Sequence, residues 1–272
     1  MPELPEVETI KNELVPHVVG RRISGVTLSW EGILKEPNAQ EFGSRIAGQE
    51  VTGIRRRGKY LIFSLGSGEL LIVHLKMSGS LLLGWDSSSP PRFTRAIIHL
   101  DNGHHIFFRD PRKFGRMRLL KDGTSIIGRL GPEPLEAGFT PELLARLLSK
   151  RKAPIKAVLI DQNFIAGLGN MYADEALFTA GIHPLRPAAS LTRREAWRLH
   201  RAIKQVLSSA IGDKGASVTT YFRPGGEPGK AQFQFRVAHR RGENCPVCGT
   251  PLERITIRHR GTYFCPKCQP EP

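Results

Sequence analysis

Hydrophobic periodicity changes once along this chain, and that change limits the fold more than any other feature. Up to about residue 120 the apolar residues come in short or alternating runs, at 51–54, 60–65, 70–75, 96–100 and 105–108. Side chains along a strand alternate between its two faces, so such runs read as half-buried or buried strands. Gly66-Ser67-Gly68 and Asp101-Asn102-Gly103 lie between runs and supply hairpin-type turns. After Gly131-Pro132-Glu133-Pro134 the spacing becomes helical, at 141–149, 155–162, 171–180 and 193–211. Thr192 and Glu195 make a capping box ahead of the last of these. One more helix is predicted over 5–19, where Leu4, Val7, Ile10 and Leu14 form a single stripe. Pro5 suits its first turn, because the N–H it lacks would have no partner there. The order predicts an α+β chain: an N-terminal helix with an antiparallel β sandwich or barrel, a helical part, and a small β hairpin at the end. Residues 212–232 read as a long loop, and loops of that length tend to be functional or disordered.

With 272 residues the chain can form one large domain or two ordinary ones. Forty Lys and Arg against twenty-five Asp and Glu leave a formal charge of +15. Such a field favours polyanions, of which nucleic acid is the commonest in a cell. The excess is clustered at Arg55-Arg56-Arg57-Gly58-Lys59, over 109–118, and over 236–272. No apolar run approaches the ~18 residues of a membrane helix. The start, Met1-Pro2-Glu3-Leu4-Pro5-Glu6, has carboxylates where a secretory signal has a basic and then an apolar stretch. A cytoplasmic protein with no membrane partner is expected.

The four cysteines, Cys245, Cys248, Cys265 and Cys268, form two C-x2-C pairs. A cytosolic setting disfavours two disulfides, and paired knuckles suit four thiolates around one tetrahedral Zn²⁺. Four protein ligands would leave no open position for water, so this zinc is expected to be structural.

Three groups of residues could carry chemistry. Loss of Met1 would expose the secondary amine of Pro2. An α-amino group titrates near ~8 and a lysine near ~10.4, so a neutral nucleophile is easier to reach at the chain terminus. Attack on an aldehyde-level carbon would give an iminium, the electron sink that elimination requires. Glu3 and Glu6 could donate a proton or orient the amine, or could simply begin a helix. Asn170, after Gly167-Leu168-Gly169, reads as the N-cap of a helix whose start could seat a phosphate, or as an ordinary turn. Met77, Arg112 and Phe114 lie in segments connecting strands. There they could be wedges that fill the gap left by an extruded base, or ordinary core residues beside a solvated arginine.

Taken together, Pro2-Glu3-Leu4-Pro5-Glu6-Val7-Glu8-Thr9, residues 74–81, 110–115, Gly131-Pro132-Glu133-Pro134, 166–175 and the four cysteines closely resemble the bacterial formamidopyrimidine-DNA glycosylases. The resemblance spans essentially the whole chain. It implies a β-sandwich catalytic domain over 1–130, a helix-two-turn-helix DNA-binding domain over 131–232, and a zinc finger over 233–272. Pro2 would attack the deoxyribose C1′, Glu3 would help open the sugar, and Lys59 and Arg260 would serve the elimination steps. Met77, Arg112 and Phe114 would fill the void, with Glu6 and Lys113 also among the DNA contacts. His74, Lys152 and Asn170 would grip the backbone. Ser217, Val218, Thr219, Thr220 and Tyr221 would read the lesion. The implied activity is that of a monomeric, nucleoid-associated glycosylase and abasic-site lyase of base excision repair. It would release 8-oxoguanine and ring-opened purines from double-stranded DNA by β,δ-elimination. Phe93 and Lys113 depart from relatives that carry histidine and arginine there. Two rival readings are an endonuclease VIII-type enzyme for oxidised pyrimidines and a DNA-binding zinc protein without catalysis. Leu4 resembles the purine-directed branch.

Overall fold

The computed structural model describes residues 1–271. The fold is mixed α+β and divides into two compact units, Met1–Arg129 with Asp213–Gln232, and Leu130–Gly212 with the C-terminal segment from Phe233.

In the first unit, α1 (Leu4–Val18) is followed by β1 (Ile23–Leu28), β2 (Leu34–Glu36) and α2 (Ala39–Ile46). Next come β3 (Val51–Arg57), β4 (Tyr60–Leu65), β5 (Leu70–His74), β6 (Ser80–Gly84), β7 (Thr94–Leu100), β8 (His105–Arg109), β9 (Arg116–Leu120) and the short α3 (Thr124–Ile127). The strands form two sheets, ordered β1-β7-β8-β6 and β2-β9-β5-β4-β3. Only the short β2–β9 pairing is parallel. Register explains the shared core. Leu61 opposes Val73 and Phe63 opposes Leu71 in one sheet, while Ile98 opposes Ile106 and Ala96 opposes Phe108 in the other. All eight belong to one apolar cluster that also takes in Val7, Ile10, Leu14 and Val18 of α1. The stripe read from the sequence is therefore the face of α1 that packs on the sheets.

Strand signals miss β1, β2, β6 and β9 and the helix α2. β1 carries Gly25 and a register shift, which break its alternation. α2 is short, buries only Phe42 and Ile46, and is started by Asn38, whose side chain accepts from the Glu41 N–H.

The second unit contains α4 (Pro141–Leu148), α5 (Ile155–Leu159), α6 (Asn170–Ala180), α7 (Arg193–Gly212) and the hairpin β10 (Glu253–Ile257) and β11 (Arg260–Phe264). α7 begins with the expected capping box, Glu195 N–H on Thr192 Oγ1 at 3.2 Å and Thr192 N–H on Glu195 Oε2 at 2.8 Å. α5 stops short of residue 162 because Gln162 organises a turn instead. Its amide donates to the carbonyls of Ile160 and Leu168, and its oxygen accepts from the Gly167 N–H. α6 is locked by buried polar groups. Lys156 pairs with Asp174 at 2.5 Å with both side chains sealed from solvent, and Glu175 accepts the N–H groups of Arg236, Val237 and Ala238. The hairpin therefore belongs with the helices.

Residues 213–232 follow the helices in sequence, yet they pack with the first unit. The side chain of Tyr221 is buried in the core of that unit, Leu83 N–H bonds the Pro224 carbonyl, and Arg223 pairs with Glu13 at 2.8 Å. Among the described residues no helix is long and apolar enough to cross a membrane.

Candidate active site and cysteine cluster

The start of α1 is folded around its own carboxylates. Glu3 is the N-cap and Glu6 the third helical residue of a capping box, with the Glu3 N–H on Glu6 Oε2 at 2.7 Å. Pro2 is buried, and Glu3 and Lys59 are only 2% and 4% exposed. Lys59 is brought in by the β3–β4 turn, where Gly58 takes the left-handed φ of 56°. The amine of Met1, which precedes Pro2, is held below its ordinary proton affinity. Burial is the main cause, opposed by the charges of Glu3 and Glu6 and assisted by those of Lys59 and Arg112. Pro2, Glu3 and Lys59 are thus buried in the first unit, with the Met1 amine beside them.

Glu6, expected among the DNA contacts, ties two segments of the first unit together. It is wholly buried, and its Oε1 accepts the Ala216 N–H at 2.8 Å, joining the helix start to the loop 213–232. Tyr221 is likewise interior, at 4% exposure, with its hydroxyl on the Lys214 carbonyl. Val218 and Thr219 are exposed, and Ser217 and Thr220 are half-buried. Ser217 closes the loop on itself: its N–H donates to Gln232, its hydroxyl donates to the Tyr221 carbonyl, and that hydroxyl accepts from Gly229. Its position in the chain suggested a recognition surface, but two of its residues serve as internal struts.

Met77 and Phe114 are exposed by 39% and 42%. The Arg112 guanidinium lies 4.8 Å above the Phe114 ring. Lys113 has a left-handed φ of 58° and its ammonium is 5.6 Å over Trp30. Phe93, also left-handed at φ 71°, is flanked by the guanidinium groups of Arg92 and Arg109 at 4.5 and 5.7 Å. His74 is half-buried and its Nδ1 accepts the Lys76 N–H at 2.9 Å. Burial, then the charges of Lys76 and Lys59, hold His74 down to about 3. It is therefore a neutral imidazole with its proton on Nε2, a donor at any ordinary pH. Asp110 is the one acid within the basic run 109–118. It is fully buried and accepts bonds from Ser78, Arg112 and Gly115.

In the second unit Asn170 is not the N-cap of α6. Gly169 holds that position and Asn170 is the first helical residue. Its side-chain amide instead donates to the Gly261 carbonyl at 2.8 Å, beside Arg260 at the start of β11. Tyr263 N–H bonds Asp174, a second tie between α6 and the hairpin. Burial raises Asp174 to about 7 against the pull of Lys156. Arg258, His259 and Arg260 are exposed at the hairpin tip, and Lys152 is exposed between α4 and α5.

The four cysteine sulfurs lie within 4.8 Å of one another, with Cys245–Cys268 at 3.8 Å and Cys248–Cys265 at 3.5 Å. Tetrahedral zinc with bonds of about 2.3 Å separates its sulfurs by about 3.8 Å, so the donor set fits one Zn²⁺. Main-chain N–H groups of Val247 and Cys268 point at sulfurs, as partners of thiolate do. Cys245 and Cys265 also pack with Phe178, Val237 and Leu252, so the finger is continuous with the core of the helical unit.

Residues 1–117 match the model of the formamidopyrimidine-DNA glycosylase N-terminal domain. Residues 130–221 match the H2TH domain of the same enzymes, and 242–270 the zinc finger found in FPG and IleRS. The formamidopyrimidine-DNA glycosylase of Chloroflexus aurantiacus is 47% identical over 99% of this chain and 98% of that one. The chain belongs to the formamidopyrimidine-DNA glycosylase family. It is thus a DNA glycosylase of DNA repair with a single structural zinc site. The glycosylase of Symbiobacterium thermophilum is 45% identical over 100% of this chain and 90% of that protein. Among solved structures, the MutM (Fpg) protein of Thermus thermophilus superposes with a TM-score of 0.90 at 40% identity, covering 100% of both chains. A Lactococcus lactis Fpg mutant, solved with DNA containing Fapy-dG, gives 0.93 at 34% identity over 99% of this chain and 100% of its own.

Proposed function

We propose that this glycosylase is bifunctional, excising oxidised purines such as 8-oxoguanine and formamidopyrimidines with Pro2 and then cutting the strand. The observation that carries the reading is the burial of Pro2 in one corner with Glu3 and Lys59. Hydrolytic removal of Met1 makes the Pro2 nitrogen a secondary amine. That nitrogen bonds to C1′ of the damaged nucleoside, the glycosidic C1′–N bond breaks, and the base leaves with its electron pair and a proton. Glu3 donates a proton to the ring oxygen as the sugar opens, leaving an iminium between Pro2 and C1′. The iminium acidifies C2′–H, and loss of that proton expels the 3′ phosphate; a second elimination expels the 5′ phosphate. Lys59 moves protons in these steps, and the Lys59 and Arg260 cations neutralise phosphates. The zinc holds the fold and takes no part in the chemistry.

Double-stranded DNA is the partner, and the +15 charge supports that reading. His74, Lys152 and Asn170 contact the backbone, and exposed Met77, Arg112 and Phe114 fill the stack. Loop amides around Val218 and Thr219 read the base. The experiment is borohydride trapping on DNA containing 8-oxoguanine, followed by peptide mapping. A cross-link on Pro2 is expected, lost when an uncleaved residue precedes it because the nitrogen is then an amide. A link on Lys59 or another lysine overturns the mechanism. Faster release of thymine glycol than of 8-oxoguanine overturns the purine preference.

A further inference from the structure

The two segments that carry the exposed wedge residues are held by one side chain. Met77 belongs to the turn after β5, and Arg112 and Phe114 to the turn between β8 and β9. Asp110 is 0% exposed, and both of its carboxylate oxygens reach these turns. Oδ1 accepts the Ser78 hydroxyl at 2.5 Å and the Arg112 N–H at 3.2 Å, and Oδ2 accepts the Gly115 N–H at 2.7 Å. The residue itself has little freedom. Its own N–H bonds the Phe93 carbonyl at 2.9 Å, and its carbonyl takes Arg95 Nε at 2.8 Å.

The turns need such an anchor. Each contains a non-glycine residue in the left-handed region, Lys76 at φ 55° and Lys113 at φ 58°, a conformation that costs free energy unless the surroundings impose it. Both also press on the same ring. A Cβ on Gly79 would come within 2.9 Å of Phe108, and one on Gly115 within 2.5 Å. A carboxylate that takes three donors from two turns fixes one wedge relative to the other.

We propose that Asp110 is a positioning residue for base extrusion, setting Met77 against Arg112 and Phe114 without touching DNA. This rests on the wedge role proposed above. An asparagine there keeps the shape, but its NH2 group must face the N–H of either Arg112 or Gly115, so one of these bonds is lost; the Ser78 hydroxyl can turn and accept. The test compares Asp110→Asn with the parent enzyme on two substrates: 8-oxoguanine in duplex, and a preformed abasic site in single strand, where there is no stack to open. A 2-aminopurine beside the lesion reports unstacking.

Excision from duplex and the unstacking rate should both fall roughly 10- to 100-fold, the effect of one lost charge-assisted bond. Cleavage of the single-stranded abasic site should stay near the parental rate, while melting falls by about 3–12 °C, the global effect of one lost buried bond. A uniform loss on both substrates, or none on either, overturns the proposal. Should Asp110→Asn not fold, Ser78→Ala removes one bond and should show the same split more weakly; no split there also overturns it. The double variant Met77→Ala, Phe114→Ala separates the two ideas. If it excises from duplex at the parental rate, the wedge reading is wrong. If it is slow while Asp110→Asn is not, only the positioning role is wrong.

Discussion

Replacing Glu6 by glutamine would take one oxygen out of a fully buried bridge. The carboxylate accepts the Glu3 N–H on one oxygen and the Ala216 N–H on the other, at 2.7 and 2.8 Å. Glutamine presents one oxygen and one NH2, so in either rotamer a buried N–H faces another donor. α1 is fixed by Leu4, Val7 and Ile10 in the core, whereas residues 213–230 form neither helix nor strand. The bond to Ala216 should therefore be the one that is lost. A hydrogen bond to a charged group contributes about 1.5–3 kcal/mol. At roughly 2–4 °C per kcal/mol for a protein of this size, melting should fall by about 3–12 °C. The same free energy, if concentrated in the loop, should speed hydrogen exchange of the Ala216 amide by about 10- to 100-fold. Mass-spectrometric exchange over 213–232, alongside calorimetry, measures both. An unchanged melt together with unchanged protection would refute the reasoning, since it would mean that the bridge holds nothing.

Two further outcomes follow from the same geometry. Chelating zinc, or changing Cys248→Ser, should loosen the hairpin that carries Arg260 and weaken binding to damaged duplex at least tenfold; full affinity in metal-free protein would contradict this. His74 should show the nitrogen-15 pattern of a neutral imidazole protonated on Nε2 at pH 5.5, because its proton affinity falls from 6.5 to about 3 on folding. The folded value lies below the unfolded one, so its contribution to stability is full above pH 6.5 and is lost as pH falls toward 3. An imidazolium signal at pH 5.5 would count against the structure at this site.

Local pattern carried most of the fold, because strands and helices are local objects. The stripe of α1, the runs behind β4, β5, β7 and β8, and the Thr192 cap needed only neighbours within a few residues. What was hidden depends on distance along the chain. Ala216 meets Glu6 across 210 positions, and no periodicity reports such a bond. Tyr221 reads as a loop residue because 212–232 is rich in Gly, Ser, Thr and Pro, yet its ring completes the core of the first unit.

The same limit governs Asn170 and Asp110. Neither position names its partner locally: Asn170 reads as a helix cap, and Asp110 is the one acid in a basic run. Asn170 follows two glycines of an ordinary turn, but its amide reaches the hairpin of the cysteine cluster. Asp110 sits in a run of basic residues, yet its value lies in the two turns it joins. A polar side chain buried in a folded protein is kept there by its partners, and those partners come from other segments. The zinc cluster is the exception that supports the rule. Its ligands were legible because their spacing is itself local, two residues between the members of each pair. What the metal steadies was not legible, since Asn170, Asp174 and Glu175 reach the finger and the segment leading into it only through the fold.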